Sequence, residues 1–188
     1  NRKANRVSDK KAQAFIQAMI LPIMDIMPDT SFAIFAAASA GDLHAAAALF
    51  RAYAASLPID LAYQDFSAEL ASLPGKYAPP YGALFLARDP SGEALGCIAL
   101  RPLANDCCEM KRLYVVPSGR GLGLGKALVE TIVREAANLG YTEMRLDTLS
   151  SMTGALALYE SFGFKPIPPY YDTPIKGTVF LSKFISQK

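Results

Sequence analysis

Residues Val115 to Val129 of this 188-residue chain read VVPSGRGLGLGKALV, with Gly119, Gly121, Gly123 and Gly125 alternating ahead of Lys126. Glycines so spaced let backbone N–H groups come close to an anion, because no Cβ stands in the way. A dinucleotide, a nucleoside triphosphate and another pyrophosphate are the candidate ligands. The dinucleotide fingerprint GxGxxG fails: counted from Gly119 its last glycine position holds Leu124, and counted from Gly121 it holds Lys126. The nucleoside-triphosphate loop fails as well. Arg120 stands where its first glycine is required, and Ala127 follows Lys126 in place of the hydroxyl that would hold magnesium. What survives is Arg-x-x-Gly-x-Gly, running Arg120, Gly121, Leu122, Gly123, Leu124, Gly125, with Lys126 behind it. That pattern predicts a pyrophosphate cradle at the mouth of a helix. It would work through unpaired N–H groups, the helix dipole and two cations, without a metal.

The elements on either side must place this loop. After it, Leu124, Leu128, Ile132, Ala136 and Leu139 form one helical stripe that ends at Gly140. Before it, Ala83–Asp89 and Ala94–Leu103 flank the turn DPSGE, and Cys107–Pro117 continues the same antiparallel meander. TEMRLDTL reads as a strand, TGALALYESFGF as a short helix and GTVFLSKF as a closing strand. Toward the N-terminus, Ser31–Ser39 reads as a strand. A helix follows, with Asp42 as the expected N-cap and Pro58 as its stop, and then a second helix over Leu61–Ser72. A strand–helix–strand unit around residues 127–140 implies a parallel pair with a right-handed crossover. The expected fold is therefore one α/β domain: a mixed, mostly antiparallel sheet with a central parallel pair and helices on both faces.

Composition narrows the function. The net charge of +2 is too small to point to nucleic acid or an acidic membrane surface. Cys97, Cys107 and Cys108 lack the spacing of a disulfide framework or a metal site, and His44 is the only imidazole. They read as small apolar residues in a reducing, cytoplasmic setting. Residues 1–30 form an extension with a basic start and the apolar run AFIQAMILPIMDIM, too short to span a bilayer. It reads as an added amphipathic helix or the remnant of an organelle address, leaving residues 31–188 as the main domain.

Two motifs in order give the chain a family likeness. The cradle, and downstream LDTLSSMTGALALYESFGF from Leu146 to Phe164, resemble the GNAT acyltransferase superfamily. The likeness runs from about Ser31 to Phe184 and is sharpest from Glu109 to Phe164. It implies acetyl-CoA as co-substrate, bound in a V-shaped gap between parallel strands, here Cys107–Val116 and Glu143–Thr148. The backbone of Leu113, Tyr114 and Val115 would pair with the pantetheine arm. The N–H near Leu113 would polarise the thioester carbonyl. Tyr159 matches the motif tyrosine that protonates the departing thiolate. Glu109, eleven residues before Arg120, matches the base of the family's protein-lysine branch, with Asp147 or a carboxylate from the substrate side as the open alternatives. One departure stands out: Met152 occupies a position where the family often has asparagine. Thr148 or Ser151 would replace that polar contact, with Ala155 beside it on the cofactor side.

The reading is an acetyl-CoA-dependent N-acetyltransferase with a small primary amine or amino acid as acceptor, working as a monomer or homodimer. A protein or peptide amine as acceptor, and a CoA-binding module without turnover, remain the alternatives. PIPPYYDTPIKGTVF, with Tyr170, Tyr171 and Asp172, and the helices over residues 42–72 are expected to wall the acceptor pocket. Lys111 and Arg112 should alternate along their strand, so that one of them faces the cofactor.

Overall fold

A computed structural model describes residues 32–59, 65–104 and 106–186. The expected extension over residues 1–30 lies outside them, as do Ser31 and the first residues of the expected second helix. In chain order the elements are β1 (Ala33–Ala36), α1 (Ala40–Ser56), α2 (Phe66–Ala71), β2 (Ala83–Arg88), β3 (Ala94–Ala104) and β4 (Cys107–Val115). Then come α3 (Leu124–Asn138), β5 (Glu143–Leu149), α4 (Thr153–Ser161), β6 (Lys165–Pro166) and β7 (Thr178–Phe184). The two-residue β6 has no strand pattern of its own; its pairing to Leu181 and Ser182 of β7 creates it.

The strands form one seven-stranded sheet in the order β1-β2-β3-β4-β5-β7-β6. Each pair is antiparallel except β4 with β5. Alternation along β3 sorts its side chains into two cores, as a pleated strand must. Ile98 and Leu100 join Leu124, Leu128, Val129 and Ile132 of α3 under one face. Cys97 and Ala99 join Ala46, Leu49 and Phe50 of α1 under the other. Helices cover both faces, as expected.

Two corrections apply to α1 and α2. The N-cap of α1 is Ser39, three residues before Asp42. Its hydroxyl accepts from the Asp42 N–H at 3.1 Å, and the Asp42 carboxylate accepts from the Ser39 N–H at 3.1 Å, a reciprocal capping box. α2 is a single short element starting at Phe66, after Asp65 in the left-handed region at φ 56°.

Candidate active site

β4 delivers the chain to the cradle. A turn over Pro117–Gly119 leads into Gly121 at φ 81° and Gly123 at φ 75°, and α3 begins at Leu124. A Cβ on Gly121 or Gly123 would meet nothing within 4 Å, so the left-handed backbone itself is what calls for glycine there. Gly123 is the N-cap, no side chain caps α3, and its first turn carries no acidic residue. The helical ladder starts only with the Ala127 N–H donating to the Gly123 carbonyl at 3.1 Å, leaving the first-turn donors without intrahelical partners. A groove of about 740 Å³ opens over this turn. Leu113, Tyr114 and Val115 line it from β4, and Arg120, Gly121, Gly123, Leu124, Gly125 and Lys126 from the cradle. Met152 and Ala155 line it from the start of α4. Leu122 does not line it; its side chain is exposed.

The groove runs into a gap in the sheet. β4 and β5 pair in parallel only at Cys107 with Glu143, Cys108 with Met144 and Glu109 with Arg145. Beyond Glu109 the two strands part, and the backbone groups on their facing edges lose their ladder. A smaller cavity of about 70 Å³ lies where they part. Lys111, Arg112 and Leu113 line it from β4, Asp147 and Thr148 from β5, and Tyr159 from α4, while Tyr53 of α1 borders both spaces. Thr148 therefore belongs to this inner cavity rather than to the groove. Its hydroxyl lies 3.7 Å from the Met152 sulfur.

The inner wall is more highly charged than the strand pattern indicates. Ile98 of β3 faces both Arg112 and Leu113, because register slips between the pairs Cys97–Tyr114 and Ala99–Lys111. Arg112 takes the extra position at φ 59°, a bulge in an otherwise extended strand. The expectation that one of Lys111 and Arg112 faces the cofactor is not met: neither lines the groove, and both border the inner cavity and pair with carboxylates. Lys111 donates to Asp147 at 2.7 Å. Arg112 grips Glu69 of α2 with two bonds, at 2.8 and 2.6 Å, and lies over the Phe66 ring.

Glu109 is completely buried, not solvent-facing. Arg101 donates to one of its oxygens at 2.6 Å and the Tyr170 hydroxyl to the other at 2.8 Å, with the Lys111 ammonium 3.7 Å away. It lines neither cavity. The PPYYDTP segment meets Glu109 through Tyr170, which also packs against Tyr171 and Phe180, but Tyr170, Tyr171 and Asp172 line neither cavity, so the expected wall is not made by them. Glu69, Arg101, Lys111, Arg112 and Tyr170 complete a network that pattern reading did not assemble. Only the Arg101–Glu109 pair, directly opposite in the β3–β4 meander, carried a signal in the sequence.

Burial, then the nearby Tyr53 and Asp147, push the Tyr159 phenol up from its usual value, so it holds its proton at neutral pH. Burial and the Glu109 charge push Tyr170 up in the same way. The three cysteines are free and buried, and burial raises Cys107 to about 11 and the other two as well, so all stay as thiols. Among the described residues no His, Cys, Asp and Glu cluster could hold a metal ion, and no helix is long and apolar enough to cross a membrane.

The family model described as "Acetyltransferase (GNAT) family" matches residues 45–164, more than half of the chain. The chain belongs to the GNAT acetyltransferase family. An uncharacterised N-acetyltransferase of Schizosaccharomyces pombe is 43% identical over 157 residues, covering 83% of this chain and 96% of that protein. A GNAT-family acetyltransferase of Staphylococcus aureus superposes with a TM-score of 0.70 at 19% identity, over 82% of this chain and 99% of that one. A phosphinothricin acetyltransferase of Sinorhizobium meliloti, solved in complex with acetyl-CoA, superposes at 0.61 and 17% identity, over 82% and 89%. At such identities the two structures share the fold alone. The GNAT chain described here is accordingly an acyltransferase. Its parted parallel strands, bulged β4 and glycine cradle are the parts that the fold contributes to the site.

Proposed function

We propose that this chain transfers the acetyl group of acetyl-CoA to the primary amine of a small molecule. One observation carries the reading. The uncapped α3 terminus and the free edge of β4 border one groove, with the glycine turn at one end and the β4 backbone that has parted from β5 at the other. Backbone donors with no helical partner and two adjacent cations, Arg120 and Lys126, fit a pyrophosphate. The free edges of Leu113, Tyr114 and Val115 fit the amides of a pantetheine arm. Thioester chemistry comes with the bound co-substrate; the residues supply orientation and protons. Tyr159, buried and protonated at the cavity, is the proposed donor to the departing sulfur.

A small acceptor is favoured over a basic peptide, because Asp147, the one carboxylate among the described residues lining the inner cavity, is matched by Lys111, and Glu69 and Glu109, outside that lining, are matched by Arg112 and Arg101. The modest net charge likewise favours a small molecule over nucleic acid. Three buried thiols fit a reducing compartment, and the cytoplasm is the proposed location. We take residues 31–188 as the catalytic unit and the first 30 residues as an extension of it.

Thiol release from acetyl-CoA over a panel of primary amines, amino acids and peptides tests the reading. Turnover with small amines is the expected result; turnover with peptides alone overturns the small acceptor. Tyr159→Phe should keep the thermal stabilisation by acetyl-CoA and lose about 100-fold in turnover. Unchanged turnover would remove Tyr159 as the acid.

A further inference from the structure

We propose that Asp147, held by Lys111 across the gap between β4 and β5, takes the proton of the attacking amine, and that Glu109 positions this pair from behind. The assignment rests on the reading of the chain as a small-amine acetyltransferase, and it moves the base from β4 to β5.

Access decides between the two carboxylates. Glu109 has no exposed side-chain surface, is held by Arg101 and Tyr170 and borders neither cavity. An amine cannot touch it without displacing a donor. Asp147 borders the cavity together with Tyr159, and 13% of its side chain is exposed. One of its oxygens, Oδ1, accepts from Lys111; among the described residues the other carries no hydrogen bond. It therefore offers a vacant acceptor where β4 and β5 have parted, in the same space as the proposed acid.

Lys111 explains how Asp147 is held. Its side chain is 7% exposed, and its ammonium is bonded to Asp147 from the opposite side of the gap, with Glu109 at 3.7 Å behind it. Glu109, Lys111 and Asp147 thus run as alternating charges from the back of β4 to the cavity. The other titratable groups near this row include Tyr159 and Tyr170, both protonated, Tyr53 at the cavity wall, Arg101, paired to Glu109, Arg112, paired to Glu69, and Arg145, opposite Glu109 on β5 and paired to Glu143. Glu109 fixes Lys111, Lys111 fixes Oδ1 of Asp147, and Oδ2 is left to meet the amine.

The step balances without a further reactant. The neutral amine nitrogen bonds to the thioester carbonyl carbon, and the C–S bond breaks with its electron pair on sulfur. Sulfur takes the Tyr159 phenol proton. The nitrogen gives its surplus proton to Oδ2 of Asp147, and that proton returns through solvent to the Tyr159 oxygen. The products are the amide and the free thiol.

Amines of similar shape and falling basicity separate this role from a structural one. Thiol release by the full chain is measured with ethylamine, 2-fluoroethylamine and 2,2,2-trifluoroethylamine. Asp147→Asn should lose about 100-fold in turnover with ethylamine and progressively less along the series, because a less basic nitrogen needs less help to shed its proton. The thermal shift with acetyl-CoA should stay as in the wild type. Glu109→Gln should lose about 10-fold, evenly along the series. The double variant Lys111→Met with Asp147→Asn, which removes both charges and strands neither, should reproduce the graded loss if the single variant does not fold. An even loss for Asp147→Asn, or a graded loss for Glu109→Gln alone, overturns the assignment. A wild type that is stabilised by acetyl-CoA yet acetylates no small amine, in this series or in the wider panel, overturns the small-amine reading and the assignment with it.

Discussion

α1 answers its own terminal donors: the Ser39 hydroxyl takes the Asp42 N–H, and the Asp42 carboxylate takes the Ser39 N–H. α3, the other long helix among the described residues, starts from a left-handed glycine with no side-chain cap and no acid in its first turn. Its neighbours are cations, Arg120 and Lys126. Both helices have the same backbone need and the same positive end. The first meets that need from within its own sequence, and the second leaves it unmet by any side-chain cap, which is where the proposed pyrophosphate would sit. A terminus built to be complete and one built to be completed are thus distinguishable by what their first turns lack.

The largest expected effect comes from making α3 resemble α1. Gly123→Glu puts a carboxylate and a Cβ at a position held at φ 75°. Acetyl-CoA at one hundred times its dissociation constant should stabilise the wild type by about 2.7 kcal/mol. That gain should vanish in the variant, as read by thermal unfolding with and without acetyl-CoA. A retained shift would show that the cradle is not the anion site. Next, Lys126→Ala and Arg120→Ala each remove one exposed charge and should weaken acetyl-CoA binding about 10-fold, or 1.4 kcal/mol, with the difference shrinking in high salt. Calorimetric titration at two ionic strengths checks it.

Breaking the complete terminus should do the reverse. Ser39→Ala should cost about 1 kcal/mol in urea unfolding and leave the acetyl-CoA shift unaltered. The smallest effect is a matter of pH. The Ser39 hydroxyl, then its N–H and Arg88, hold the Asp42 carboxyl down at about 2, below its ordinary value of 3.8. A lowered folded value gives stability that is fully present above the ordinary value and lost as pH falls toward 2. Asp42→Asn should therefore be less stable than the wild type at neutral pH, with the gap closing between about pH 4 and 2. A gap independent of pH would mean that the carboxylate charge plays no part in the cap.

The same contrast separates what the sequence discloses from what it hides. The glycine turn into α3 was legible because its whole logic is local: glycine spacing, two cations and an apolar stripe follow one another within two dozen residues. The meander and α3 were legible for the same reason. The cap of α1 was misplaced by three residues because Ser39 and Asp42 are both good capping types, and only the hydrogen bonds say which leads. The charged wall was hidden. Arg112 meets Glu69 across 43 positions, and Tyr170 meets Glu109 across 61. The bulge at Arg112 also defeats the two-residue alternation by which strand faces are read. Glu109 drew notice by its spacing to Arg120, but its depth follows from Arg101 and Tyr170 closing over it.

The brief parallel pairing of β4 with β5 has a mechanical consequence. With three matched residues, the seven strands are in effect two smaller sheets, β1 to β4 and β5 to β7, sewn together at one end. Lys111 and Asp147 make one stitch farther along, and the rest of the seam is open. A ligand arm lying between the strands would then act as a missing strand as well as a reactant, and each turnover would close and reopen the weakest join in the sheet. Amide protons along Leu113, Tyr114 and Val115 would report that cycle, exchanging slowly while the seam is filled and quickly after the product has left.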